Sequence, residues 1–298
     1  MNEDIKQLAL IGPTASGKTA LSIELAQKTD AYILSLDSLA IYKEVDIVSA
    51  KPTREERGGI RHFGIDHLCP HEPFDVTTFI RLYQEVKQEA LTDKKNLIIV
   101  GGTSFYLKML MDGISRLPSI SENTLFQTKA SLKDLQKSYE MLEKADPAYM
   151  NQIAKSDRYR IEKALNIYFE TGLAPTAYFN ANPPLPVIEG ALPVYQITME
   201  RDTLRKRIAL RTQLMIKEGL IDEVCMLEKR YTRAPNCMKS IGIKETLAYL
   251  DGVFDKKMLE EKITTNTARL AKRQTTFNTS QFEGVIKGSV EELQNILL

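Results

Sequence analysis

Cysteine and histidine are scarce in this chain, with three of each in 298 residues. Cys69, Cys225 and Cys237 are odd in number and lack C-x-x-C spacing, which excludes both a disulfide framework and a zinc ribbon. His62, His67 and His71 lie close together, but gaps of four and three residues match no standard zinc signature. Loop hydrogen bonding or substrate contact suits them better. Long apolar runs are missing as well. Leu97–Val100 is far short of the roughly 20 residues of a membrane span. The longest charge-free stretch, Thr171–Ile188, carries Pro175, Pro183, Pro184 and Pro186 and reads as a loop. The opening MNEDIKQ is acidic where a secretory leader is basic, so a cytoplasmic, membrane-free protein is expected. There is no internal repeat or low-complexity tract. With 43% hydrophobic and 27% charged residues, disordered, collagen-like and mucin-like classes are excluded. The length suggests two structural units.

Net charge is only +1, yet it is unevenly placed. Residues 201–273 hold 17 Lys/Arg against 10 Asp/Glu, a local +7 that points to a polyanionic partner. The first 110 residues alternate short apolar runs with helical stretches, the pattern of a parallel-sheet α/β unit. Strands are expected at 8–11, 32–36 and 97–100, with a helix over about 19–28. From about Arg116 to Pro186 the pattern turns helical. Leu132, Leu135, Tyr139 and Leu142 share one helical face, and Ile161, Ala164, Leu165, Tyr168 and Phe169 share another that Gly172 stops. A β-like run, Val194–Thr198, precedes helices expected at 201–218, 221–231, 240–250 and 255–277. The expected organisation is an α/β core (1–115 and 187–298) interrupted by a helical insertion domain at 116–186.

Between the first strand and the first helix stands Gly12-Pro13-Thr14-Ala15-Ser16-Gly17-Lys18-Thr19, which satisfies G-x-x-x-x-G-K-[ST] in the context that motif requires. Glycines let the backbone curl so that successive N–H groups face an anion, and the helix N-terminus reinforces them. Lys18 adds a point charge, and the Thr19 hydroxyl is placed to coordinate Mg²⁺. A phosphate or diphosphate site follows. Nucleoside-triphosphate hydrolases usually carry a metal-holding acid at the end of a neighbouring strand. Here the 97–100 strand ends in Gly101-Gly102-Thr103, and the acid stands one strand over at Asp37. Asp37 suits a base that deprotonates an incoming nucleophile; a helix N-cap before Ser38 is the commoner fate of an Asp at a strand end.

Several segments together resemble the tRNA dimethylallyltransferases. They are GPTASGKT (12–19), DSLAIY (37–42), DIVSAKP (46–52), HFGID (62–66), GGTSFYLK (101–108), RYRIEKALNIYFETG (158–172), RDTLRKRIALRTQLMIKEGLIDEV (201–224), SIGIKETLAYLDG (240–252) and LAKRQTTF (270–277), in family order. The resemblance implies a P-loop NTPase-like α/β core with a parallel sheet, and transfer of a dimethylallyl group from dimethylallyl diphosphate to tRNA. The acceptor would be N6 of the adenosine 3′ to the anticodon, flipped from its stack. Gly12 to Thr19 with Mg²⁺ would hold the diphosphate, and Thr14 would add a hydroxyl. Asp37 would be the general base, Thr103 its hydrogen-bonding neighbour, and Arg201 a clamp on the diphosphate, with Arg205 and Arg207 as helpers. The tRNA contacts implied are Asp37, Ser38, Leu39 and Ala40; Tyr159, Arg160, Ile161, Glu162 and Lys163; and Lys272, Arg273 and Gln274. The helical insertion domain would bind the anticodon stem-loop. No Cys/His-rich tail follows residue 278, which implies the bacterial type, taken as a monomer.

Several positions depart from the family pattern. Ala40 replaces Gln, Arg61 replaces the first of two histidines, and Ser156 and Arg158 replace Asn and Pro. Lys163 replaces Arg, Phe277 stands where Trp is common, and Asn278 stands where Arg is. All bear on tRNA recognition and none on the P-loop, Asp37 or Thr103. Three rival readings share the P-loop: a small-molecule kinase using ATP, an adenylate isopentenyltransferase acting on free nucleotides, and a tRNA-binding protein with a vestigial cradle. ATP turnover would favour the first and activity on AMP the second; intact Lys18, Thr19, Asp37 and Thr103 weigh against the third.

Overall fold

The computed structural model of the protein describes residues 5–298; Met1–Asp4 of the acidic opening segment lie outside it. Six strands form one all-parallel sheet: β1 (Gln7–Ile11), β2 (Ala31–Leu36), β3 (His62–Phe63), β4 (Asn96–Gly101), β5 (Val194–Ile197) and β6 (Ile286–Gly288). Their order is β3-β2-β4-β1-β5-β6. The helices of this unit are α1 (Lys18–Thr29), α2 (Val76–Asp93) and α3 (Ser104–Asp112). The insert supplies α4 (Glu122–Ser131), α5 (Leu135–Ala145), α6 (Pro147–Met150), α7 (Arg158–Thr171) and α8 (Pro175–Ala181). The chain then returns with α9 (Arg201–Glu218), α10 (Leu220–Tyr231), α11 (Ile243–Leu250), α12 (Lys256–Gln281) and α13 (Val290–Leu297). Among the described residues no helix is long and apolar enough to cross a membrane.

Two compact units result, one made of the chain up to Met111 together with Ile188–Leu298, the other of Asp112–Val187. In the first, a parallel sheet covered on both faces needs near-continuous apolar strands, and LALI and LIIV supply them. Alternate residues Leu10, Ile33, Ile98, Val100 and Ile197 meet Leu21 and Leu25 of α1 and Leu293 of α13 in one buried cluster. Each such side chain contributes about 1.5–3 kcal/mol by burial. Register then decides where the site lies. Ile11 pairs with Gly101 on one side and Gln196 on the other, and Leu36 pairs with Gly101. The C-terminal ends of β2, β4, β1 and β5 are therefore level, and the loops that follow them open on one edge. Chain direction across the sheet reverses beside β1, the place where open α/β sheets bind ligands.

The insert has its own core of Leu132, Tyr139, Leu142, Met150, Ile153, Ile161, Ala164 and Leu165. Gly172 ends α7 in the left-handed region at φ 70°, as its sequence suggests. Two readings of this region need correction. Leu132 does not share a helix with Tyr139: it caps α4, and Asp134 starts α5 by accepting from Lys137 N–H. Residues 175–181 are not loop but α8, because Pro175 occupies the first helical position, where no N–H is needed. Asp146 anchors that helix start, accepting from Thr176 N–H at 2.6 Å and Thr176 Oγ1 at 2.9 Å.

Elsewhere the expected strands and helices stand within a few residues of their places. The largest shifts are at α12, which runs on to Gln281, and at α11, which begins only at Ile243, capped by Gly242 with the Glu245 carboxylate accepting Gly242 N–H at 2.7 Å.

Candidate active site

The cradle grows directly out of β1. Gly17 at φ 97° and Ala15 at φ 63° turn the chain back on itself, and α1 starts at Lys18 with no side-chain cap and no acid in its first turn. Its first N–H groups are thus left for an anion. Lys18 Nζ donates to the Pro13 carbonyl at 2.6 Å, across the mouth of the loop. Burial, then the nearby Arg211 charge, lower the Lys18 ammonium to about 7, while Asp37 acts in the opposite direction. The loop's tip is held from outside: Ala15 packs on Leu204 and Ile208 of α9 and Ala271 of α12. Ser16 Oγ is buried without a hydrogen-bond partner, a polar atom in the cradle still available to a ligand.

Asp37 follows β2 on the same edge. Its Oδ1 accepts from Leu39 N–H at 2.8 Å and Ala40 N–H at 3.0 Å. This is turn capping, not helix capping: residues 38–41 form turns. The second carboxylate oxygen accepts no hydrogen bond among the described residues, so the capping role leaves a proton acceptor over. Thr103 N–H donates to Leu36 O at 3.0 Å, one residue before Asp37, and Thr103 O then accepts from Tyr106 N–H at 3.0 Å. The two residues expected to cooperate are therefore fastened to one strand end. Gly101 is required by space: a Cβ there would lie 2.4 Å from Leu36 O.

The arginines of α9 stand in different surroundings. Arg201 opens α9 and is exposed, and Arg205 pairs with Asp202 at 3.8 Å. Further along the helix, Arg207 Nη2 would lie 3.8 Å from a Cβ on Gly17, and Arg211 Nη1 donates to the Thr14 hydroxyl at 3.2 Å. One helical turn separates these two, and both stand at the cradle. Arg211 was not singled out by sequence; its four-residue spacing from Arg207 was the available signal. Gln274, expected on the RNA backbone, points inward instead. Its Oε1 accepts from Thr14 N–H at 2.9 Å, and its Nε2 would lie 2.3 Å from a Cβ on Gly102. Its neighbours Lys272 and Arg273 are exposed.

Among the other expected contacts, Ser38 is exposed and Leu39 half-buried, but Ala40 is 4% exposed and faces the core. Tyr159 and Arg160 are exposed on α7, with Lys163 Nζ over the Tyr159 ring at 5.5 Å and Glu162 half-buried beside them. Ile161 is fully buried in the insert's core and is a packing residue. The histidines form no metal cluster among the described residues. His62 Nδ1 bonds to Ile60 O at 2.9 Å, burial lowering its pKa, and His71 stacks on Tyr231.

A cationic cradle, an uncapped helix N-terminus and a carboxylate meet here on the edge of a P-loop-like sheet, with no metal-binding acid after β4. The family model described as IPP transferase matches residues 40–281. The chain belongs to that family. Over 298 residues it is 70% identical to a tRNA dimethylallyltransferase of a Sulfurovum species, covering 100% of this chain and 99% of the relative. A tRNA dimethylallyltransferase of Aliarcobacter butzleri is 53% identical over 294 residues, 99% of this chain and 98% of the relative. Among solved structures, the full-length tRNA isopentenylpyrophosphate transferase of Bacillus halodurans superposes with a TM-score of 0.69 at 30% identity, covering 98% and 95% of the two chains. A eukaryotic dimethylallyltransferase acting on tRNA gives 0.83 at 26% identity, covering 94% of this chain and 73% of the other. The family's parallel-sheet core is the fold described above.

Proposed function

We propose that this enzyme transfers the dimethylallyl group of dimethylallyl diphosphate to N6 of the adenosine 3′ to the anticodon of tRNA, releasing diphosphate. Family membership makes it a tRNA-modifying transferase. The observation that carries the donor and the chemistry is the meeting of Lys18, Arg211 and the uncapped start of α1 with the Asp37 carboxylate.

In this reading the allylic C–O bond breaks and its electron pair goes to the diphosphate oxygen. The growing negative charge is met by Lys18, by Arg207 and Arg211, and by the N–H groups of the cradle, which need no reorganisation as the charge appears. The exocyclic amine is a poor nucleophile because its lone pair is delocalised into the ring. As its C–N bond to the allylic carbon forms, the free oxygen of Asp37 takes its proton. Thr103 holds the strand end that carries Asp37. A divalent ion fits the oxygen donors present: the exposed Thr19 at the start of α1 offers one hard ligand, and Mg²⁺ commonly takes the rest from phosphates and water. When bound, it would neutralise diphosphate charge. On the insert, Tyr159, Arg160 and Lys163 present an aromatic and cationic surface suited to RNA.

The test is direct. Incubation with Mg²⁺, dimethylallyl diphosphate and an anticodon stem-loop carrying adenosine 3′ to the anticodon is followed by mass spectrometry of the RNA. The reading expects one added dimethylallyl group, located on that adenosine by nuclease mapping. RNA of unchanged mass, with full-length tRNA also unmodified, would overturn it.

A further inference from the structure

We propose that Lys51 is a positioning residue for transfer: its ammonium locks the turn that aims the Asp37 carboxylate. This rests on the reaction proposed above and assigns a role within it. Lys51 belongs to DIVSAKP (46–52), a segment of turns and irregular backbone that follows the Asp37 turn. Its side chain is only 4% exposed, which a lysine seldom tolerates unless it is paired. Nζ donates to Tyr42 O at 2.9 Å, to Asp46 Oδ1 at 2.6 Å and to Asp66 Oδ1 at 2.7 Å. An ammonium has three donors, and all three are used.

Those partners close a ring around the turn. Tyr42 is buried, and its N–H donates to Leu39 O at 3.1 Å. Asp66 N–H donates to Ala40 O at 3.3 Å, and Ala40 N–H donates in turn to Asp37 Oδ1 at 3.0 Å. Lys51 therefore ties Tyr42, just past the turn, to Asp66, which grips the turn from across the loop. His67 and Leu68 N–H extend the same seam, both donating to Ile41 O, at 2.8 and 3.0 Å. Asp66 itself stands in the left-handed region at φ 54°, and its other carboxylate oxygen meets Arg57 Nη2 at 3.5 Å. Asp37 leaves a paired strand, but residues 38–41 are turns, so the direction of its free oxygen depends on this seam. Hydrogen bonds to an ion shielded from water hold such a seam more firmly than surface pairs do. An error of about 1 Å at a reacting group costs about 10²-fold in rate.

The experiment measures single-turnover transfer to the anticodon stem-loop by the full chain, in a double-mutant cycle of Lys51→Met and Asp37→Asn. Lys51→Met nearly keeps the length of the side chain while removing its charge. It should slow transfer about 10–10²-fold, with affinities for RNA and inorganic diphosphate within a few-fold of wild type. In the Asp37→Asn background no base remains to be aimed, and the same substitution should slow transfer less than about twofold. A lysine that merely stabilised the fold would slow both backgrounds by one factor, and that result would overturn the proposal. So would transfer at the wild-type rate in Lys51→Met. Asp66→Asn is the second variant, and it carries the test if Lys51→Met fails to fold. Its side chain is 45% exposed, and its backbone N–H stays on Ala40 O. It should show the same dependence on Asp37 with a smaller loss, and equal loss in both backgrounds would again overturn the role. If wild-type protein transfers nothing to the stem-loop or to full-length tRNA, the proposed reaction falls and this role with it. Loss of the coupling alone leaves that reaction standing.

Discussion

Arg211 Nη1 donates to the Thr14 hydroxyl at 3.2 Å, joining α9 to the phosphate cradle across 197 residues of sequence. The same guanidinium disfavours the charged form of Lys18, while Asp37 favours it. A carboxylate, a lysine and an arginine from three different elements are therefore electrostatically linked before any substrate is present, and each can be probed through the others.

Lys18, lowered to about 7, is partly neutral in the free protein at neutral pH, and a bound diphosphate requires its ammonium form. Binding is then accompanied by proton uptake. Affinity for inorganic diphosphate should be level below about pH 7 and fall up to tenfold per unit above it from this group alone. Titration calorimetry in buffers of different ionisation enthalpy measures the protons taken up. Lys18→Met corrects for the titration of diphosphate itself. Equal uptake in wild type and variant would contradict the assignment.

Removing Arg211 takes a positive neighbour from Lys18, so the midpoint of that pH profile should move upward in Arg211→Met. Diphosphate affinity should also drop about tenfold or more, since a charge-assisted contact to the anion is lost. The same calorimetric series reads both. An unmoved midpoint would place Arg211 outside the cradle's electrostatics.

Two adjacent glycines should behave differently. A methyl at Gly101 would sit 2.4 Å from Leu36 O, a backbone atom in a paired strand, whereas at Gly102 it would meet only the mobile end of Gln274 at 2.3 Å. Gly101→Ala should cost about 1–3 kcal/mol in urea unfolding. Gly102→Ala should be nearly neutral for stability while freeing Thr14 N–H from Gln274, and should therefore alter diphosphate affinity. Equal destabilisation of the two would contradict this account of the β4 tip.

Much of this arrangement was legible in the residues themselves. LALI, the glycines and Lys18 located the cradle because phosphate binding has a local sequence signature, and strand ends placed Asp37 and Thr103 on the same edge. Interior direction was harder to read. Gln274 sits in a basic run and resembles a surface residue until α12 is seen to turn that side toward Thr14. Ile161 and Ala40 lie inside segments with an RNA-binding resemblance, yet burial sets their roles. Arg211 lies ten residues along α9 from Arg201, and only its four-residue spacing from Arg207 hints that it shares the cradle-facing side. Helix α8 went unread because its four flanking prolines suggest a loop, although the first of them starts the helix.

Glu223 shows how a distant helix shapes the site's surroundings. Its carboxylate accepts N–H groups from Asp46 at 3.0 Å, Ile47 at 2.7 Å and Val48 at 3.0 Å, holding the loop that follows the Asp37 turn. Glu223→Ala leaves those donors without their acceptor and should destabilise the protein by about 2–4 kcal/mol, with Glu223→Gln intermediate because its amide NH₂ cannot accept. Urea denaturation with a constant m-value would measure it. A loss under about 0.5 kcal/mol would show that the loop is held by other contacts.

The central claim is that Asp37 takes the proton of the acceptor amine while the cradle holds the leaving diphosphate. Asp37→Asn is the sharpest probe, since an amide oxygen can still accept from Leu39 and Ala40 N–H and so preserve the turn. Single-turnover transfer of the dimethylallyl group to the stem-loop should slow about 10²–10⁴-fold in this variant, with affinities for RNA and diphosphate within a few-fold of wild type. Transfer at the wild-type rate would contradict the account and move the base elsewhere in the site.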